Sequence, residues 1–380
     1  KVSNTVFSQI SNLTFPQARF RPDGIQVVLL TEALSPNTET IVNGWFPRSA
    51  CCTGAGSWQA TKKSSTILEH PCSLQETSPD CLLQNSTGCD TGLGNSLAKW
   101  LDKRGFCVIA ACATEKGSQE LLSCSSLSLK TVNLNLADSN SIARAVVFVN
   151  EQTAGKGLFG LVSYAEGTAP AGPTDWLRIE DFHSVLDVSL LGLIEITLKL
   201  LPLLKKAEGR VVNLINAKGF MTFVGGGYSL SRWGMEAFSD TLRIEMKHFG
   251  VKVSIVEHGF FKAEVVNSDI IEKYLFKLWN RLTPEIRDSY GEKYLVEYIK
   301  AQRLSVKRLC DYDISNVIKC MEHALIARYP RTRYRAGWDA KFFCLFLSYA
   351  PSCLSDTLLR ITFPAPAVRG RPVHGVLINV

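Results

Sequence analysis

From about residue 81 the chain alternates short apolar runs with longer stretches whose apolar residues recur every three or four positions. The runs are Phe106-Cys107-Val108-Ile109-Ala110-Ala111-Cys112, Leu158-Phe159-Gly160-Leu161-Val162, Arg210-Val211-Val212-Asn213-Leu214-Ile215 and Val251-Lys252-Val253-Ser254-Ile255-Val256. Continuous apolar runs of this length suit strands of a parallel sheet covered on both faces. Between them Leu93 to Lys103, Phe182 to Lys206 and Met235 to Phe249 carry helical periodicity. Alternation of this kind, with right-handed crossovers, predicts an α/β fold: a doubly wound parallel sheet of Rossmann type. The strand before the first helix is expected at Cys81-Leu82-Leu83-Gln84-Asn85, which is short and polar at its end.

The two flanks read differently. Residues 1–80 mix Ser, Thr, Pro and Cys without a sustained period and are expected to be a poorly ordered N-terminal extension. Their best apolar stretch, Ile25 to Leu30, is far too short to cross a bilayer. The folded domain is expected over 81–340. From about residue 264 it becomes helical and charged, with Leu275, Leu278, Trp279 and Leu282 at helical spacing, as in a C-terminal cap over a substrate pocket. Residues 341–380 form an apolar tail suited to a membrane surface, since the stretch from Ala340 to Ala350 stops at Pro351 before it could span one.

Composition narrows the classes. A hydrophobic fraction of 46% in 380 residues argues for a folded core rather than disorder. The net charge of +7 is dispersed and accompanies no nucleic-acid reading motif, so no nucleic-acid partner is expected, whereas an anionic bilayer surface is. The 12 cysteines show no zinc spacing and no disulfide framework, so no metal is expected.

Two motifs carry chemistry. In Thr87-Gly88-Cys89-Asp90-Thr91-Gly92-Leu93-Gly94 the glycines let a strand turn tightly into a helix and approach a pyrophosphate at the helix N-terminus, where free N–H groups favour anions. Glu115, after the second strand, is the nearest candidate for an acidic residue that meets ribose hydroxyls, or else a solvated loop charge, while Lys116 would suit a 2′-phosphate, so NAD and NADP both stay open. Downstream, Tyr228 precedes Arg232 by one helical turn. A phenol must fall well below its reference pKa of about 10 to act as a base near neutral pH, and a nearby cation favours that. His258 is a weaker candidate base.

These segments, with Gly209-Arg210-Val211-Val212-Asn213, Gly225-Gly226-Gly227-Tyr228, Gly234-Met235-Glu236-Ala237-Phe238-Ser239-Asp240 and Arg333-Tyr334-Arg335-Ala336-Gly337-Trp338-Asp339-Ala340-Lys341, resemble the short-chain dehydrogenase/reductase family, in its retinol and hydroxysteroid dehydrogenase branch. The resemblance implies NAD or NADP as cofactor, with contacts at Gly88, Asp90, Gly92, Leu93, Gly94, Glu115, Asn135, Ala165 and Arg232. It implies a hydrophobic alcohol or its carbonyl as substrate (a retinoid or steroid), a homodimer as one assembly open to it, and a peripheral or cytoplasm-facing place at the endoplasmic reticulum membrane. Four positions of the family carry the reaction, and here they are Tyr228, Arg232 for the family's lysine, Asn216 for its serine and Ser189 for its asparagine. Arginine is not a conservative exchange for lysine, because its planar fork aims its donors differently. Ser163-Tyr164-Ala165-Glu166 and His258-Gly259 also depart from the family's segments, and Asn135 replaces its adenine-contacting aspartate. Two functions therefore stand side by side: an NAD(P)-dependent oxidoreductase, or an eroded relative that binds nucleotide or lipid without turnover.

Overall fold

The computed structural model describes residues 27–32, 89–90, 92–164, 172–216, 226–258, 268–309, 314–337 and 349–362. Among these residues seven strands form one sheet in the order β3-β2-β1-β4-β5-β6-β7, and every neighbouring pair is parallel. They are β1 (Val27–Glu32), β2 (Cys107–Cys112), β3 (Lys130–Asn133), β4 (Gly160–Tyr164), β5 (Arg210–Asn216), β6 (Lys252–His258) and β7 (Arg333–Ala336). The helices are α1 (Gly92–Lys103), α2 (Glu115–Ser123), α3 (Ser139–Thr153), α4 (Ile179–Leu186), α5 (Leu193–Lys206), α6 (Gly226–Met246), α7 (Ser268–Asn280), α8 (Pro284–Tyr290), α9 (Glu292–Leu309), α10 (Ile314–Ile326) and α11 (Ser352–Thr362). This is the doubly wound parallel sheet that the apolar pattern predicts.

The first strand is not where the sequence places it. β1 comes from Val27–Glu32, within the segment expected to be a poorly ordered extension, and it lies between β2 and β4. Its physical reason is visible in its side chains. Leu29 packs on one face of the sheet with residues of α3, α5 and α6, while Val28 and Leu30 pack on the other with α1 and α10. A strand rich in branched apolar residues fits a site covered on both faces, and alternation sends neighbours to opposite layers. The expected strand at 81–85 lies outside the described residues, as do most of residues 1–80 and the apolar stretch before Tyr349.

The long helical stretch from Phe182 to Lys206 is interrupted. Asp187–Gly192 between α4 and α5 is a π-helical turn, a local widening often found at functional sites. A side chain could not be added at Gly192, since a Cβ there would lie 2.3 Å from the Leu136 carbonyl oxygen. The cap forms a separate apolar cluster, in which Leu275, Leu278 and Leu282 surround Trp176 with Tyr294, Tyr298 and Ile299. It is tied back to α4 by Arg281, which donates to both carboxylate oxygens of Asp181 and to the Trp176 carbonyl.

Leu29→Ala is expected to destabilise the chain by about 2–5 kcal/mol, because it opens a cavity in a fully buried site. Urea unfolding measures this, and a midpoint unchanged from the parent would remove β1 from the core.

Candidate active site

The carboxyl ends of β2 and β3, with the turn that enters α1, form one edge of the sheet. There the backbone is fixed by local bonds. The Cys89 amide donates to the Ala111 carbonyl at 3.2 Å, and its thiol points at the Leu30 carbonyl at 3.8 Å. Asn95 Nδ2 donates to the Cys89 and Asp90 carbonyls at 2.9 and 3.0 Å. The turn is thereby held against both β1 and β2. Gly92 has φ +73°, and among the described residues a Cβ there would meet nothing within 4 Å, so these residues leave the space before the first turn of α1 to a ligand. Gly94 lies inside α1, and the Leu93 side chain is buried in the core, which leaves only its backbone to face that space. Gly88 is outside the described residues.

Asp90, expected at the cofactor, is itself a structural bridge. It is buried, and its Oδ2 accepts the Thr114 amide at 3.3 Å, joining the turn to the loop after β2. Burial pushes its carboxyl above the usual range, against hydrogen bonds from Cys112, Thr114 and Ala113 that pull it down. Thr114 in turn caps α2 by accepting the Gly117 amide at 3.2 Å. Glu115, the first residue of α2, is exposed, and Lys116 pairs with Glu120 at 3.8 Å. Asn135 stands just past β3, where its Oδ1 accepts its own Ala137 amide at 3.0 Å and its amide donates to Ser141 Oγ at 3.0 Å. Ala165 directly follows β4 and lies outside the described residues.

Tyr228 and Arg232 sit on α6, which also carries Glu236 and Asp240 at successive four-residue steps, a single stripe of the helix. The Arg232 guanidinium carbon lies 4.5 Å from the centre of the Tyr228 ring. Arg232 is only 2% exposed, and its Nε and Nη1 have no hydrogen-bond partner among the described residues. The acids further along the stripe are held elsewhere: Arg333 of β7 pairs with Glu236, reaches Asp240 at 2.6 Å and reaches Glu257 at 3.2 Å. Arg335 pairs with Glu257 at 3.0 Å. A buried cation thus faces a phenol ring with two donors unclaimed, and burying such donors is costly unless a partner arrives.

Ser189 is buried in the π turn beside α6, where Leu190 packs so tightly on Gly234 that a Cβ there would come within 2.8 Å. Asn216 ends β5 opposite His258 in the register, and its side chain lies outside the described residues. His258 is fully buried, edge-on to the Tyr164 ring at 5.6 Å, a packed position rather than one open to a substrate. The Arg333 clamp and the Asp90 bridge are the site features that sequence reading misses. Only the four-residue stripe from Tyr228 to Asp240 hinted at the clamp.

The family model described as short chain dehydrogenase matches residues 86–273. Retinol dehydrogenase 7 of Rattus norvegicus is 51% identical over 273 residues, 72% of this chain and 86% of that protein. The chain belongs to the short-chain dehydrogenase/reductase family, in its retinol dehydrogenase branch. Human retinol dehydrogenase 16 is 46% identical over 281 residues, 74% of this chain and 88% of that one. Among solved structures, a short-chain dehydrogenase from Streptomyces avermitilis shares the fold with a TM-score of 0.55 at 20% identity, covering 72% of this chain and 92% of that one. A Burkholderia cenocepacia short chain dehydrogenase in complex with NADP does so with 0.52 at 17% identity, covering 72% and 94%. Membership makes the chain an oxidoreductase of the retinol/hydroxysteroid type by family. The match begins at residue 86, so β1 lies outside it.

Asp90→Asn is expected to raise the melting temperature at pH 7–8. A carboxyl whose folded pKa is raised favours the native state while protonated and loses that contribution as pH rises through the raised value. The gain should shrink as pH falls through the raised value and the parent's carboxyl takes up its proton. A gain that stays the same as pH falls would contradict the burial argument.

Proposed function

We propose that this protein binds NAD or NADP across the carboxyl edge of its sheet and interconverts a hydrophobic alcohol of retinoid or steroid type with its carbonyl, slowly. The observation that carries this reading is the buried Arg232 guanidinium over the Tyr228 ring, with Nε and Nη1 unclaimed among the described residues. The residues present suit the cofactor. Gly92 leaves the approach to α1 open for a pyrophosphate, and Arg232 offers donors suited to ribose hydroxyls. When bound, the nicotinamide supplies hydride chemistry.

The chain's own part is proton movement and orientation. Tyr228 exchanges the proton with the substrate oxygen, and the adjacent guanidinium stabilises negative charge that develops on the phenol oxygen. Asn216, at the end of β5, orients the substrate oxygen, and Ser189 takes the relay position. Either exchange weakens a constellation whose members act together, so each is expected to lower the rate by about 10²-fold, and the losses do not add. The cap, held to α4 by the Arg281–Asp181 pair, walls the apolar end of the pocket.

A second reading is supported by the same stack. A guanidinium lying over the ring face directs its charge differently from a lysine ammonium, so a nucleotide- or lipid-binding protein without turnover remains the competing account. Protein fluorescence of the full chain titrated with NADH and NADPH tests the first requirement, and saturable quenching is expected. Turnover of all-trans-retinol then separates the two readings. Arg232→Lys is expected to raise the rate at least about tenfold; quenching without turnover in either protein supports the binding module, and no quenching overturns both nucleotide readings.

The reading also places the protein on the cytoplasmic face of the endoplasmic reticulum membrane as a homodimer. Among the described residues no helix is long and apolar enough to cross a bilayer. Leu230, Trp233 and Ile244 are exposed along α6, as are Leu191 on the π turn and Leu198 on α5, apolar surface that a second copy would cover. Microsomal fractionation followed by sedimentation velocity should show a membrane-associated dimer that Trp233→Asp converts to monomer. A soluble monomer in both proteins would contradict this.

A further inference from the structure

At the opposite, amino-terminal edge of the sheet, three cations converge with little to neutralise them. Arg210 opens β5 and Lys252 opens β6, and the two are partners in the parallel register, so their side chains leave on the same face. Arg210 is 7% exposed; its guanidinium lies 4.6 Å from the centre of the Phe159 ring, and its Nε has no hydrogen-bond partner among the described residues. Lys252 donates to the Arg328 carbonyl just past α10, which leaves two of its three donors, and its ammonium stands 6.0 Å from the Tyr329 ring. The Arg328 guanidinium lies 5.4 Å from the same ring, which is 73% exposed.

Among the described residues none of the three cations forms an ion pair. Like charges on directly paired strand positions are unfavourable. Burial, then Arg210 and Arg328, hold the Lys252 ammonium below its usual range, with Glu208 the one acid that opposes them. Burial likewise lowers Arg210. The carbonyl end of α10 relieves part of this charge and accounts for the Lys252 bond, but it leaves the buried Arg210 Nε without an acceptor.

The geometry points to an anion site here: Arg210, Lys252 and Arg328 together take a phosphate group, the ligand class whose several acceptor oxygens match a guanidinium fork and an ammonium at once. Tyr329 forms its exposed apolar rim. The site stands on the far edge of the sheet from Gly92 and Tyr228, so it is independent of the cofactor reading. Its ligand is either a free phosphate or a phosphorylated lipid headgroup, which share this chemistry.

The test uses the full chain saturated with NADH, which occupies the pyrophosphate position if the cofactor reading holds. Inorganic phosphate is expected to raise the melting temperature in a saturable way that sodium chloride at equal ionic strength does not. Lys252→Gln and the exposed Arg328→Gln should each weaken the half-saturating phosphate concentration about tenfold, the usual scale for one charge-assisted bond, without altering NADH quenching. Flotation with phosphatidic acid vesicles against phosphatidylcholine vesicles then assigns the source. Binding to the acidic vesicles that Lys252→Gln abolishes assigns a lipid headgroup, and a phosphate response without flotation assigns a free anion. A phosphate response equal in parent and both variants, or equal to that of chloride, overturns the proposal. Should the parent not bind NADH, the cofactor reading fails while the phosphate comparison between parent and variants still decides this one.

Discussion

A parallel sheet needs a strand about 4.8 Å from each neighbour, and the position between β2 and β4 is filled by Val27–Glu32. Everything at the carboxyl edge depends on that strand. Cys89 anchors the glycine turn to the Leu30 carbonyl on one side and to the Ala111 carbonyl on the other, so the entry to α1 is placed by β1 and β2 jointly. Cys89 lies far along the chain from Leu30, yet its thiol reaches the Leu30 carbonyl.

That anchored edge orders the site. Asp90 bridges the turn to the loop after β2, and the Arg333 clamp fixes α6 by gripping Glu236 and Asp240 while Glu257 holds Arg335. With its neighbouring acids held by β7, Arg232 keeps its charge for the Tyr228 ring. The structure therefore presents a cation that is buried, stacked and partly unsatisfied. Such a group has more to gain from a ligand than from the protein around it.

Much of this was legible in the chain, for physical reasons that differ by element. β2, β4, β5 and β6 show as continuous apolar runs because they are covered on both faces, and α1 shows through its period. β3 and β7 are edge strands, short and half polar as Lys130–Asn133 and Arg333–Ala336, and they leave no such trace. β1 is apolar but stands far from the turn it supports. Periodicity reports local environment and carries no pairing information, so Val27–Glu32 read as part of an extension. In the site, residue types at Tyr228, Arg232, Asn216 and Ser189 were readable, whereas the direction of the guanidinium and the grip of Arg333 are tertiary facts. The π turn at Asp187–Gly192 shares its apolar spacing with an ordinary helix and so was hidden.

The central claim is that Arg232 stands in for the family's lysine by meeting the cofactor ribose from its stacked position over Tyr228. A crystal structure of the full chain with NADH tests it most directly. The account predicts ribose hydroxyls within about 2.7–3.2 Å of Arg232 Nε or Nη1, the Tyr228 hydroxyl beside the nicotinamide, and the pyrophosphate at Gly92. A bound NADH whose ribose makes no contact with Arg232, or a guanidinium turned away from the ring toward an acid, would contradict it.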